Sequence, residues 1–184
     1  MKLLLIPVLL VVACILAGTY GAIHNQVSYT VSPEYFTKYK FQQFGMIHFQ
    51  DRVGAAYVGW SASWWMGAVI GIVLIPLGLL IRGNRNYFPG MIRVFGVVAA
   101  TTMTVGLVAL AVAFMIVDAE TVGELTRYGN AIDDDVAFAR AGTMHNFSYV
   151  GGLVGIVNGA VDIFRQRKRY TDYVPANGTT RREG

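Results

Sequence analysis

The sequence predicts an all-α membrane protein: a four-helix transmembrane bundle with a short amphipathic helix in its first outer loop. Three observations carry that prediction. Of 184 residues, 54% are hydrophobic and only 14% charged, against about 25% charged in a typical soluble domain. Four stretches free of interior charge are each long enough for the roughly 20 apolar residues that cross hydrocarbon. Basic residues are concentrated at the ends of those stretches. In lipid every backbone polar group must be satisfied within its own segment, so the stretches read as helices.

The spans fall at about 3–23, 60–81, 92–117 and 142–164, joined by outer loops at 24–52 and 118–140. Residues 1–170 then form one transmembrane domain, and 171–184 a disordered tail rich in Gly and Thr. Lys2, Arg82, Arg85, Arg93, Arg165, Arg167, Lys168, Arg169, Arg181 and Arg182 all fall on one side. The opposite side carries Lys38, Lys40, Arg52, Arg127 and Arg140 against eight acids. The positive-inside rule makes the basic side cytoplasmic, with both termini there. A net charge of +4 therefore reflects membrane topology rather than nucleic-acid binding.

The first span ends in small residues and also admits two other readings: cleavage after Ala22, and lipidation at Cys14 within Val11-Val12-Ala13-Cys14. Tyr20 is a poor residue three before such a cut, and the apolar run before Cys14 is short, so a retained helix is the reading adopted. Cys14 is the sole cysteine, which excludes an internal disulfide framework. In the second span, Trp60, Trp64 and Trp65 mark the outer membrane interface, and Pro76 is expected to kink the helix near its cytoplasmic end.

Close helix packing in lipid relies on small residues. Ala13, Ala17 and Gly21 recur every four residues in the first span, and Gly59, Ser63, Gly67 and Gly71 in the second. Gly151, Gly155 and Gly159 do so in the fourth, with a looser row at Gly96, Ala100 and Thr104 in the third. The expectation is close contact among the first, second and fourth helices, with some seams open to a second copy of the chain.

In the first outer loop, Val27, Tyr29 and Val31 alternate with Ser28 and Thr30, the pattern of an extended segment. Ser32-Pro33-Glu34 supplies an N-cap, a proline at the first helical position and an acid in the first turn. A helix is expected over 33–44, stopped by Gly45 and carrying Tyr35, Phe36, Tyr39, Phe41 and Phe44, with a strand over 35–41 as the competing reading. Such aromatic density suits a helix lying on the membrane interface or on the bundle. The acidic second loop, with Asp133-Asp134-Asp135, reads as a solvated face that lacks EF-hand spacing.

The run His24-Asn25-Gln26-Val27-Ser28-Tyr29-Thr30-Val31-Ser32-Pro33-Glu34-Tyr35-Phe36-Thr37-Lys38 resembles a segment of uncharacterised bacterial membrane proteins, where it follows an N-terminal hydrophobic helix. The resemblance implies a bacterial envelope setting and carries no activity, and the location expected for the chain is the bacterial inner membrane.

All three histidines fall on the outer side. His24, His48 and His145, with Glu34 and Asp51, form the candidate metal set for Zn, Cu or Fe, and two of the imidazoles would serve a haem. Structural histidines are the competing reading. No P-loop, dinucleotide-binding glycine motif, Gly-x-Ser-x-Gly elbow or catalytic carboxylate pair is present, so no catalytic residues are assigned and no cofactor is expected. Asp162, four residues after Asn158, lies near enough to the cytoplasmic edge to pair with an arginine. The functional expectation is a non-enzymatic packing or interaction subunit of the cell envelope with its working surface on the outer face, its partners the bilayer and a second copy or another membrane protein. The alternatives are a metal- or haem-binding redox or enzymatic subunit using the histidines, and an oligomeric small-solute channel or transporter.

Overall fold

A computed structural model describes residues 2–172, with side chains to residue 168. Four helices are long and apolar enough to cross a membrane. They are α1 (Ile6–Val31, preceded by a 3-10 turn at Lys2–Leu5), α3 (Arg52–Gly78), α4 (Asn84–Ile116) and α6 (Asp135–Asp172). Between α1 and α3 lies a π-wound turn, Phe36–Lys40, running into α2 (Phe41–Gln43). Between α4 and α6 lie α5 (Ala119–Val122) and a hairpin of β1 (Thr126–Arg127) and β2 (Asn130–Ala131). Both connections sit at one end of the bundle, the loop end. Residues 171 and 172 continue α6; the rest of the expected tail lies outside the described residues.

The bundle is two antiparallel pairs, α1 with α3 and α4 with α6. In the first pair the expected seam is observed. Gly21 lies on the backbone of Gly59, Gly67 lies on the backbone of Ala13, and the Asn25 amide donates to the Ala55 carbonyl at 2.9 Å. Contacts spaced four or eight residues apart on α1 thus meet contacts with the same spacing running the other way on α3. A Cβ at Gly21 or Gly59 would collide with backbone, so backbone contact itself sets the sequence there.

The second pair corrects the expected packing. Gly151 and Gly155 face α4, at Thr102 and Val98, and not the first two spans, while Gly159 meets Val94 and Val98 of α4 together with Leu74 of the second span. The row Gly96, Ala100 and Thr104 points out of the bundle, with nothing within 4 Å of a Cβ at Gly96. The physical reason is size: three glycines on α6 already provide the groove, so α4 presents larger residues to fill it.

The extended segment expected at 27–31 is also corrected, because α1 remains helical through Val31. The hydroxyls account for this: Thr30 bonds back to the Gln26 carbonyl at 2.9 Å, and Ser28 is turned into the bundle at 0% exposure. The helix expected after Ser32 forms, with the Tyr35 amide donating to Ser32 Oγ at 3.1 Å. Gly45 follows at φ +63°, the left-handed conformation glycine adopts freely. Its aromatic face lies on the bundle, where Tyr35, Phe36 and Phe41 pack with Val58, Ile132 and Phe138.

Polar groups close the helix ends. Asp51 caps α3 by accepting from the Val53 and Gly54 amides. Helix α3 stops two residues after Pro76, where Tyr87 Oη donates to the Ile75 carbonyl and the Lys2 ammonium to the Leu79 and Ile81 carbonyls. A cation at a helix C-terminus also meets the negative end of the dipole. Asp162 is buried and pairs with Arg93 of α4 at 2.9 Å. Asp133–Asp135 are tied into the structure. Asp133 pairs with Lys38, Asp134 caps α6 at the Ala137 amide, and Asp135 accepts from the Leu125 amide.

Two buried clusters result. One, around Leu9, Leu74, Tyr87, Met91 and Ile163, closes the end that carries the termini. The aromatic cluster closes the loop end. Between them the helix pairs stand apart.

Candidate functional site

The gap between the two clusters is a cavity of about 240 Å³. Helix α1 lines it from Ala13 to Asn25 and α3 from Ile70 to Val58, with α4 and α6 completing the wall. At 1.5 Å per residue that is a length of about 18 Å. Toward the terminal end its walls are apolar: Ala13, Leu16, Met66, Ile70, Phe95 and Val98. Toward the loop end they are polar, with Tyr20, His24, Asn25, Lys40, His145 and Ser148.

Two crossed hydrogen bonds organise the polar end. His24 Nε2 on α1 meets Ser148 Oγ on α6 at 2.8 Å, and His145 Nε2 on α6 meets Ser28 Oγ on α1 at 3.1 Å. The two imidazoles lie between these bonds, edge to face, with centroids 4.7 Å apart. Each serine sits three or four residues after its own helix's histidine, hence on the same helical face. The Asn25 amide is oriented by its bond to the Ala55 carbonyl, which turns its oxygen toward His24 Nδ1 at 3.5 Å. The Ser148 hydroxyl donates its one proton to the Met144 carbonyl at 2.8 Å, which leaves its oxygen to accept from His24 Nε2. Tyr35 stacks on His145 at 4.9 Å, so the loop helix roofs the pair.

Two donors at this end lack strong partners. Tyr20 Oη is buried near Ser148 but meets nothing at hydrogen-bonding geometry. Among the described residues Lys40 Nζ bonds only the Gln43 side chain, at 3.1 Å, pairs with no acid, and lies over the Tyr39 ring at 4.7 Å and the Tyr35 ring at 5.7 Å. Burial pushes the Lys40 ammonium below its ordinary pKa.

Comparison with protein-family models, curated proteins and solved structures finds no match.

Of the five residues in the candidate metal set, the structure brings His24 and His145 together and places the others elsewhere. His48 is exposed in the loop before α3. Asp51 caps α3. Glu34 accepts from the Asp133 and Asp134 amides and pairs with Lys38. Among the described residues, no three His, Cys, Asp or Glu side chains are grouped to hold an ion. A haem held by two imidazoles needs them on opposite faces of the macrocycle, and these two touch each other. Of the packing residues, Gly67, Gly71, Gly151, Gly155 and Gly159 lie in helix contacts, Trp60 covers Gly18, and Trp65 lines the cavity. Trp64 is half-exposed.

Sequence reasoning missed Ser28, Ser148, Tyr20 and Lys40. A signal for the serines was present: His-Asn followed by Ser-Tyr occurs twice, as His24-Asn25 with Ser28-Tyr29 and as His145-Asn146 with Ser148-Tyr149. The repeat places a His and a Ser on one face of each helix, which is what crossed bonding requires.

Proposed function

We propose that this chain is a non-enzymatic bacterial inner-membrane protein that binds an amphiphilic molecule between its two helix pairs, with the loop end facing outward. The observation that carries the reading is the polarity gradient along the cavity, apolar at Leu16, Ile70 and Phe95 and donor-rich at Tyr20, His24 and Lys40. The cavity, of about 240 Å³, opens to the surface of the bundle, so solvent or a ligand fills it. Water satisfies the polar end and is poorly held along the apolar walls. A molecule with one polar end and an apolar tail suits both.

Binding is favoured over catalysis by the setting of Ser148. Its Oγ also lies 2.8 Å from the Met144 carbonyl, and it sits mid-helix, where neighbouring backbone amides are committed to the helix and unavailable to an oxyanion.

Gly152 supplies the test, because it lines the cavity and has nothing within 4 Å of a Cβ. Native mass spectrometry of protein extracted from membranes is expected to show a bound amphiphile that Gly152→Phe displaces without loss of folding. Wild-type protein that carries none, and takes up none when amphiphile is added, would overturn the reading.

A further inference from the structure

Resting on that reading of the cavity, we infer that its occupant is a single-chain amphiphile with an acidic oxygen head, a carboxylate or a phosphate monoester, seated against Lys40 and Tyr20. Charge is the first ground. Among the described residues the cavity wall contains Lys40 and no Asp, Glu or Arg. The neighbouring Lys38 shows the contrast: it is paired with both Glu34 and Asp133, at 2.8 Å to the latter. Lys40, two residues on, lines the cavity, and among the described residues its ammonium has one hydrogen-bond partner, an amide oxygen, and lies over the Tyr39 and Tyr35 rings. An ammonium so placed gains most from an anion that enters the cavity, since charge-assisted hydrogen bonds are roughly twice as strong as neutral ones.

Donor supply is the second ground. Among the described residues the buried Tyr20 hydroxyl meets no partner at hydrogen-bonding geometry, and a buried donor left unpaired is costly. A head bearing two or three oxygens would accept from Tyr20 Oη and Lys40 Nζ together. A cationic head would meet the Lys40 charge, and a hydrocarbon without a head would leave both donors unpaired.

Width is the third ground. Gly21, Gly59 and Gly67 line the cavity where α1 and α3 are already in backbone contact. That seam closes one wall, and a volume of about 240 Å³ spread along about 18 Å is narrow throughout, so the space suits one chain rather than two.

The test uses the full-length protein in detergent with four probes: brominated palmitate, palmitoyl lysophosphatidate, monopalmitin and dioleoyl phosphatidylglycerol. Bromine quenches Trp65, which lines the cavity, and the other three are read by competition. Palmitate or lysophosphatidate is expected to bind roughly tenfold or more tightly than uncharged monopalmitin, and the tighter of the two names the head. Lys40→Met should abolish that preference by weakening the acidic probes far more than monopalmitin, and Lys40→Arg should restore it. Tyr20→Phe should weaken the acidic probes in particular.

Equal affinity for charged and uncharged probes, or a preference that survives Lys40→Met, would overturn the acidic head and leave amphiphile binding standing. Phosphatidylglycerol outcompeting both single-chain acids would overturn the single chain. No binding by any of the four would remove the underlying reading as well.

Discussion

His24 on α1 and Ser148 on α6 lie 124 positions apart in the chain and 2.8 Å apart in space. One helical turn away, His145 on α6 returns the contact to Ser28 on α1 at 3.1 Å. These bonds tie together the two helix pairs, whose seams otherwise run within each pair. The tie should be measurable as coupling. Ser148→Ala leaves a buried imidazole nitrogen unpaired and is expected to cost about 1–3 kcal/mol. In a double-mutant cycle with His24→Phe, the two changes should be non-additive by about 0.5–3 kcal/mol, read from unfolding in detergent. Strict additivity would show that the bond does not contribute.

The glycine positions separate into two classes. Gly59→Val forces a side chain into the Gly21 backbone, and overpacking of this kind costs about 1–3 kcal/mol or more. Gly96→Ala meets nothing and removes a flexible residue from a helix interior, worth about 0.5–1 kcal/mol. The first variant should melt well below wild type and the second at or above it. Similar melting temperatures for both would contradict the seam.

Acid should loosen the loop end. Burial disfavours the Glu34 carboxylate, but the Lys38 ammonium and the Asp134 and Asp133 amides outweigh it and hold its pKa at about 2, down from 4.5. A depressed carboxylate pKa means stability that is full above about 4.5 and lost as pH falls toward about 2. Hydrogen exchange at the Asp133 and Asp134 amides should accelerate through that window. Glu34→Gln should flatten the dependence, and an unchanged acid response in that variant would assign the effect to another group.

The Arg93–Asp162 pair predicts an asymmetry. Asp162 is 5% exposed while the Arg93 side chain is half-exposed. Arg93→Met strands a buried carboxylate, the costly way to break a pair. Asp162→Asn frees an arginine that reaches solvent, and an amide there can still accept from Gln166, which now lies 2.8 Å from the Asp162 carboxylate. Thermal unfolding should show the arginine variant to be the less stable of the two. The reverse order would refute this account of the pair.

Features written in local chemistry were legible in the sequence. Four charge-free apolar runs marked four helices. Ser32-Pro33-Glu34 and Gly45 marked the ends of the loop helix. The small residues of α1 and α3 marked a seam. Each depends on residues near one another in the chain, and each follows from backbone hydrogen bonding or side-chain size alone. The extended reading of 27–31 failed because its alternation competed with hydroxyls that bond back along the helix or across to α6, and nothing local decides between those partners.

Which seams face each other, and what lies between them, belonged to the tertiary structure. The α6 glycines would fit any neighbour, and in the fold they meet Thr102, Val98 and Val94 of α4, with Leu74 of α3 also against Gly159. The candidate metal set assumed that residues on one side of a membrane meet. Helix rotation instead turned His24 and His145 inward while His48 stayed exposed and Asp51 and Glu34 capped backbone. Lys40 and Tyr20 carry no motif, and their place in the cavity follows from how two helix pairs pack. Sequence therefore determined the helices and their close-packing faces, because those are local properties. The tertiary structure decided the pairing and the cavity, because they depend on relative rotation and depth.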